Sequence, residues 1–104
     1  MNFPKSLIIG GVKWKVNVSK IKISGGNFEW YTHTINVEKG YSDDRKFQVL
    51  IHEICEIIMV NNIMRYQKCF YGQPHNGDYL FSFSHDRFEI YTDELAGILK
   101  QFVR

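Results

Sequence analysis

The sequence predicts a small α+β protein in which a short sheet precedes two helices. Three observations lead to this prediction: apolar and polar residues alternate in the first part of the chain, an apolar pattern of helical period follows Ser42, and a second such pattern lies near the C-terminus. A chain of 104 residues suits one domain with one modest core, so we expect a single domain over residues 1–104. We expect a twisted, mainly antiparallel sheet of about three strands, a central helix and a C-terminal helix.

The first strands are predicted from alternation. The segment from Lys13 to Ile23, KWKVNVSKIKI, places Trp14 and its apolar neighbours on one side and polar residues on the other. A slip near Val18 allows either one half-buried strand or two strands with a kink. After the turn SGGN, the segment FEWYTHTINVEKG contains Thr, Ile and Val residues that favour a further strand. In KWKVNVSKIKI, the residues expected on the solvent side of the strands are Lys13, Lys15, Lys20 and Lys22.

A central helix is predicted from Ser42 to about Met64. Ser42 is a suitable N-cap, and acidic residues follow it in the first turn. His52 and Glu56 lie together on one side of this helix, with further apolar residues beside them. We therefore expect a helix packed on two sides that encloses the charged pair. Its broad apolar face consists of Phe47, Leu50, Ile51, Ile54, Ile57 and Ile58.

The C-terminal part is predicted to contain a turn and a last helix. Residues 65–80 include Pro, Asn and Gly turn signals, which favour a loop or short hairpin. Ser84 is a suitable cap for a helix over about residues 86–102. His85 stands three residues before Phe88, and we therefore expect it on the inward side. The apolar stripe of this helix is Phe88, Tyr91, Leu95, Ile98, Leu99 and Phe102.

Composition excludes several classes of protein. The net charge of +2 indicates neither a nucleic-acid partner nor a membrane partner, and no apolar run approaches the roughly 18 residues of a membrane span. The early run LIIGGV is too short and too rich in Gly for a signal peptide. Cys55 and Cys69 lack the CxxC spacing of zinc or redox sites, which favours a reducing, cytoplasmic compartment. The oligomeric state is not predicted.

The stretch LIHEICEII carries the predicted site. His52 and Glu56 are four residues apart, so their side chains lie one turn apart on one helix face, as the two ligands of an HExxH zinc helix do. An isolated HExxE motif is weak, because solvated helices often carry His and Glu at this spacing. Three features favour a metal site: the aliphatic flanks, Glu53 beside His52, and His85 before the next helix. Together His52, Glu56 and His85 form a His₂Glu set, which in catalytic zinc sites leaves a fourth position for water.

At these residues the chain resembles the small zincin-like proteins, minimal gluzincin-type metallopeptidase domains that bacteriophages and mobile elements encode. The resemblance covers most of the chain and rests on four segments: IIGGVKWKV, HTINV, LIHEICEII and SHDRFEIYTDELAGILKQF. It implies a zincin-like fold, zinc held by His52, Glu56 and His85, and Glu53 as the catalytic base. The commoner HExxH form takes its third ligand from a Glu of the last helix, a role that would fall to Glu89.

The function that the resemblance implies is zinc-dependent hydrolysis of peptide bonds. The metal would activate water, and Glu53 would accept its proton and pass it to the leaving amine. The expected partner is a peptide or protein substrate, and the strand around Thr32–Val37 is a candidate sheet edge for pairing with it. Candidates for oxyanion stabilisation are Tyr91, Tyr79 and His33.

Two other interpretations of these residues are also considered. One is an inactive metal-binding or protein-interaction module with the same fold, encoded by a phage or mobile element. The other is a metal-free domain in which Glu53 or Glu56 pairs with a basic residue, namely Arg65, Lys68 or Arg87. The donor set would also accept manganese, iron or cobalt in place of zinc, since imidazole and carboxylate suit all of these ions.

Overall fold

The computed structural model describes the backbone of residues 3–21, 25–62, 65–70, 73–81 and 84–102, and the side chains of 3–21, 25–62 and 84–102. Strands and helices both occur, which confirms the α+β class. The elements in chain order are β1 Ser6–Ile9, β2 Val12–Ser19, β3 Gly26–Glu29, β4 Thr34–Glu38, α1 Asp43–Asn61, β5 Arg65–Phe70, β6 Gln73–Phe81, α2 His85–Leu99 and a final 3₁₀ turn Lys100–Phe102.

The first four strands form a mixed sheet in the order β1-β2-β4-β3. β1 pairs with β2 and β3 pairs with β4 antiparallel, whereas β2 and β4 run parallel. The expectation of about three strands is therefore wrong. Gly10 and Gly11 have positive φ angles of 58° and 78°, which suit a tight hairpin turn, so the leading segment makes two strands. A turn at residues 30–33 likewise divides FEWYTHTINV into β3 and β4.

β4 lies inside the sheet, between β2 and β3. The expectation that the strand around Thr32–Val37 is a sheet edge is therefore wrong, because both of its sides are already paired. The edges of this sheet are β1 and β3. At the β1 edge, the side chain of Gln101 accepts a hydrogen bond from the Ile8 N–H at 3.0 Å and donates one to the Ile8 carbonyl at 2.9 Å.

One face of the sheet packs against α1. Trp14 and Val16 are buried there, whereas Lys13 and Lys15 alternate with them and lie on the solvent face, as predicted. The buried core consists of Leu7, Ile9, Trp14, Val16, Ile35 and Val37 from the sheet, Leu50, Ile54, Ile57 and Ile58 from α1, and Ile98 from α2.

α2 packs on this core less completely than predicted. Ile98 is its one buried residue in the structure, and the half-buried Tyr91 and Leu95 contact the core beside it. Phe88 and Leu99, which were expected in the apolar stripe, are 44% and 38% exposed. The face of α2 that meets the core is therefore narrower than its apolar pattern suggests.

Both helices begin where the sequence predicts. The Ser42 hydroxyl accepts a hydrogen bond from the Arg45 N–H at 3.2 Å, which confirms the N-cap of α1. The Ser84 hydroxyl accepts one from the Arg87 N–H at 3.4 Å and caps α2 in the same way. Because the hydroxyl satisfies an N–H group that has no partner within the helix, Ser marks each start.

The two helices run antiparallel. Near the start of α1, the Phe47 ring packs edge-on against Phe102, with 5.6 Å between the ring centroids. At the other end, the Arg87 guanidinium donates to the carbonyl of Asn62 at 3.0 Å. The first turn of α2 therefore lies beside the last turn of α1, and this arrangement decides where the predicted ligands lie.

The region after α1 forms a hairpin, one of the two alternatives predicted for it, but the predicted turn signals at Pro74 and Asn76-Gly77 lie inside its second strand. β5 and β6 pair antiparallel, with an irregularity between Gln67 and Cys69. The ends of three predicted elements, at residues 22–23, 63–64 and 82–83, lie outside the described residues. Neither described helix combines the length and the apolarity that a membrane crossing requires.

Candidate metal centre

Three potential ligands converge on one side of α1. Each of His52, Glu53 and Glu56 contributes a donor atom, and these three atoms lie within 4.8 Å of one another. The helix produces this arrangement because Glu56 lies four positions after His52 and three after Glu53, and residues at these spacings are neighbours on a helix surface. The predicted HExxE motif therefore forms a compact group of one imidazole and two carboxylates.

The His52–Glu56 pair is the closest contact in this group. His52 Nε2 lies 3.0 Å from Glu56 Oε2, and the two side chains are 69% and 18% exposed. The expectation that the helix encloses both groups is wrong for His52, which reaches solvent on a side of α1 that its neighbours leave open. The pair is thus accessible from solvent through its imidazole and shielded at its carboxylate.

Glu53 is the buried member of the group. The residue is only 5% exposed, and its neighbours along the helix, Leu50, Ile54 and Ile57, belong to the core. Its carboxylate approaches both His52 and Glu56 within 4.8 Å. Two carboxylates at such a separation favour a cation near them, because like charges repel.

His52 and Glu56 fit a zinc ion. Zinc binds nitrogen and oxygen at about 2.0–2.2 Å, so two ligands of a tetrahedral site lie roughly 3.3 Å apart. The observed 3.0 Å between Nε2 and Oε2 needs an opening of only a few tenths of an ångström. The donor types suit zinc as well, since imidazole nitrogen and carboxylate oxygen are ordinary zinc ligands.

The structure places His85 in a different group. Its side chain is 80% exposed, and its Nδ1 lies 3.6 Å from Glu89 Oε1, so the inward orientation predicted for it is wrong. The donor atoms of His85, Asp86 and Glu89 lie within 4.8 Å of one another, apart from the group on α1.

The antiparallel arrangement of the helices explains this separation. α2 begins beside Asn62, and the distance from His52 to Asn62 is about 15 Å along α1 at 1.5 Å per residue. The set of His52, Glu56 and His85 therefore stays a prediction, of which the structure brings together the two members on α1.

Other candidate residues have structural surroundings of their own. The ring of His33 packs against Trp14 and Trp30, with 5.1 Å and 6.5 Å between centroids. Tyr91 is half-buried on α2 and hydrogen-bonded to Cys55; burial first, and this bond second, raise the pKa of its hydroxyl above the ordinary value. The side chains of Tyr79, Arg65 and Lys68 lie outside the described residues.

Cys55 has a contact that sequence reasoning did not predict. It is a half-buried free thiol that forms a hydrogen bond with Tyr91 of α2. No pattern in the neighbouring sequence predicts this contact, because residues 55 and 91 meet only through the packing of the two helices.

Comparison of the chain with protein-family models, with curated proteins and with solved structures finds no match. The resemblance to small zincin-like proteins therefore rests on the motifs alone and stays a prediction. The observations that bear on function are the side-chain contacts of α1 and α2.

Proposed function

We propose that this protein is a zinc-dependent metallopeptidase-like protein that holds its ion on α1. The observation that carries the proposal is the 3.0 Å contact between His52 Nε2 and Glu56 Oε2, with the buried carboxylate of Glu53 within 4.8 Å of both donors. An HExxE helix with this geometry offers two ligands and an adjacent base. The zincin-like fold, a peptide substrate and a cytoplasmic compartment belong to the same proposal.

The residues of α1 take different roles in this proposal. His52 and Glu56 hold the ion, and Glu53 accepts a proton from the attacking water and returns it to the leaving amine. A zinc ion in the site supplies Lewis acidity toward the scissile carbonyl and toward water. The burial of Glu53 suits a base, since fewer water molecules compete with a shielded carboxylate for the transferred proton.

A second candidate function is a metal-binding or interaction module without catalysis. The observation that favours it is the position of His85, which groups with Asp86 and Glu89 and not with the donors on α1. Catalytic zinc commonly has three protein ligands and an open position. If Glu53 joined His52 and Glu56 as a third ligand, the site would bind an ion but would have no base beside it.

The metal site is tested by titrating the purified protein with zinc in a calorimeter. We expect one ion per chain, and we expect His52→Ala and Glu56→Ala each to weaken binding by more than about a hundredfold, since even partners outside the ligand set contribute 10–100-fold. His85→Ala and Glu89→Ala are the matched variants on α2. Loss of affinity in His85→Ala assigns it as the third ligand, and unchanged affinity excludes it. A wild-type protein that takes up no zinc would refute the proposal.

Catalysis is tested separately with Glu53→Gln, which keeps the shape of the side chain and removes its basicity. For a peptidase, this variant should keep zinc and lose turnover of a quenched-fluorescence peptide library by about 10²–10⁴-fold. A wild-type protein that binds zinc but cleaves no member of the library supports the non-catalytic module. Weaker zinc binding in Glu53→Gln would make Glu53 a ligand and not the base.

A further inference from the structure

A cleft opens on the side of the sheet opposite α1. Its volume is about 360 Å³, and it is built by β1, the segment before β1, β2 and the turn between β3 and β4. Segments distant in sequence therefore meet in one concave surface. Its lining residues are Lys5, Ser6, Lys13, Lys15, Thr32 and His33.

The sheet register brings the lysines of this cleft together. Lys13 and Lys15 alternate with the buried Trp14, so both project from the solvent face of β2. Lys5 lines the same cleft from the segment before β1, where its carbonyl accepts a hydrogen bond from the Val16 N–H at 2.9 Å. Lys5, Lys13 and Lys15 therefore line one concave surface.

The turn at residues 30–33 forms one wall of the cleft and is held in place by several contacts. The Lys15 N–H donates to the carbonyl of His33 at 2.8 Å, which joins the turn to β2. The backbone of His33 has a φ of 49°, in the left-handed region that L residues rarely adopt, and its ring packs against the buried Trp14. The shape of the cleft is thus set by strand pairing and by core packing.

The cleft carries a concentrated positive charge. Every charged residue that lines it is a lysine, and in the part of the chain that the structure describes none of these lysines forms an ion pair. Converging ammonium groups raise the local potential and attract anions. The net charge of +2 conceals this concentration, which is why composition predicts no nucleic-acid partner.

An exposed aromatic side chain lies in the turn that lines the cleft. Tyr31 is 99% exposed, and it immediately precedes Thr32 of the cleft lining. Cations that contact phosphates beside rings that stack on bases are the combination with which proteins bind single-stranded nucleic acid.

We propose that this cleft binds single-stranded nucleic acid. Lys5, Lys13 and Lys15 contact successive phosphates, and Tyr31 stacks on a base. An acidic peptide would also suit the lysines, but it would give no role to an aromatic ring that is wholly exposed. The site is separate from the metal centre, because the core and the sheet lie between the cleft and α1.

The test is fluorescence anisotropy of the full chain with a labelled single-stranded oligothymidylate at several salt concentrations. Three phosphate contacts predict a slope of log affinity against log salt of about −2, so binding should weaken roughly twentyfold between 50 and 200 mM salt. Lys13→Ala with Lys15→Ala should bring the slope to about −0.7.

The matched control is Lys20→Ala with Lys39→Ala, which removes the same charge at the opposite end of β2 and β4. We expect its affinity to stay within about twofold of the wild type, since neither lysine lines the cleft. Equal weakening in both double variants would show attraction to net charge alone and would overturn the proposal.

Tyr31 distinguishes nucleic acid from an acidic peptide. Tyr31→Ala should weaken oligothymidylate binding at least about fivefold, and Tyr31→Phe should keep it, because stacking needs the ring and not the hydroxyl. An oligoglutamate of equal charge should bind more weakly than the oligonucleotide. Equal binding of the two, or no effect of Tyr31→Ala, would overturn the proposal. Glu53→Gln should leave oligonucleotide affinity unchanged whatever its effect on zinc or peptidase activity.

Discussion

At the scale of single residues, neighbouring positions of one motif have opposite environments. His52 is exposed, whereas Glu53, the next residue, is 5% exposed among core residues. A step of one residue turns the side chain about 100° around the helix, which is enough to move it from solvent to core. The motif therefore presents an accessible imidazole and a shielded carboxylate at once.

Gly26 shows how closely β3 approaches α1. A Cβ atom on Gly26 would collide with the side chain of Val49. We expect Gly26→Ala to lower the free energy of unfolding by about 1–3 kcal/mol, because an added methyl overpacks this contact. Chemical denaturation followed by circular dichroism measures the change.

The control for this prediction is a double-mutant cycle with Val49→Ala. Removing the Val49 methyl groups makes room for the new Cβ, so the double variant should lose less stability than the sum of the two single variants. Simple additivity within about 0.5 kcal/mol would show that the collision is relieved in some other way.

The raised pKa of Tyr91 predicts that the folded protein loses stability at high pH. Its pKa is raised in the folded protein, so the folded state holds this proton more tightly than the unfolded state does. The stabilisation is fully present below the ordinary tyrosine pKa of about 10 and is lost as the pH rises through the folded-state value. Thermal unfolding at increasing pH should show less alkaline destabilisation in Tyr91→Phe than in the wild type.

Cys55→Ala separates burial from the two contributions of Cys55, its hydrogen bond and its charge, to that shift. It removes the hydrogen bond to Tyr91 but leaves the tyrosine half-buried, and burial is the larger cause. We therefore expect most of the alkaline effect to persist in this variant. An identical pH profile in wild type and Tyr91→Phe would contradict the assignment.

At the scale of elements, local signals predict helices better than strands. Ser42 and Ser84 mark both helix starts, because a cap acts on N–H groups only two or three residues away. The division of FEWYTHTINV into two strands is not visible in its composition, since Thr, Ile and Val suit a strand on either side of the turn. Strand propensity indicates extended backbone, but it does not indicate which strands pair.

The β1 edge gives a prediction at this scale. The Gln101 carboxamide satisfies both the N–H and the carbonyl of Ile8 and so takes the place of a neighbouring strand. Gln101→Ala should lower the free energy of unfolding by about 1 kcal/mol and should increase aggregation, because an uncovered edge is open to intermolecular pairing. Chemical denaturation and light scattering measure the two effects.

Gln101→Glu is the matched variant, since it keeps the length of the side chain and the acceptor for the Ile8 N–H. It loses the donor and places a carboxylate near the Ile8 carbonyl. We expect an intermediate loss of stability with less aggregation than in Gln101→Ala, because a charged edge resists pairing. Wild-type behaviour of both variants would show that the carboxamide does not protect the edge.

At the scale of the whole molecule, the arrangement of the helices decides which of the predicted metal ligands lie close together. α1 and α2 are both predicted, and so is the cap of each, but their antiparallel packing follows from contacts such as Phe47–Phe102 and Arg87–Asn62. The contact between His52 and Glu56 is predictable from their four-residue spacing, whereas the position of His85 depends on where α2 begins relative to α1.

The proposed metal site predicts a change in the stability of the whole chain when zinc is added. A ligand that binds only the folded state at 100 times its dissociation constant adds about 2.7 kcal/mol, so zinc at that excess should raise Tm by roughly 10 °C. His52→Ala should abolish the increase, and magnesium, which prefers oxygen ligands only, should produce a much smaller one. Differential scanning calorimetry with and without a chelator measures these shifts, and equal shifts for zinc and magnesium would count against an imidazole ligand.

The sequence by itself determined the α+β class, the two helix starts and the HExxE group, because each depends on residues within about one turn or on a period along the chain. Only the tertiary structure decided the strand order, the interior position of β4, the separation of His85 from α1 and the convergence of Lys5, Lys13 and Lys15. These depend on which distant segments pack together, and the free energy of that packing is shared among many contacts that no single motif records.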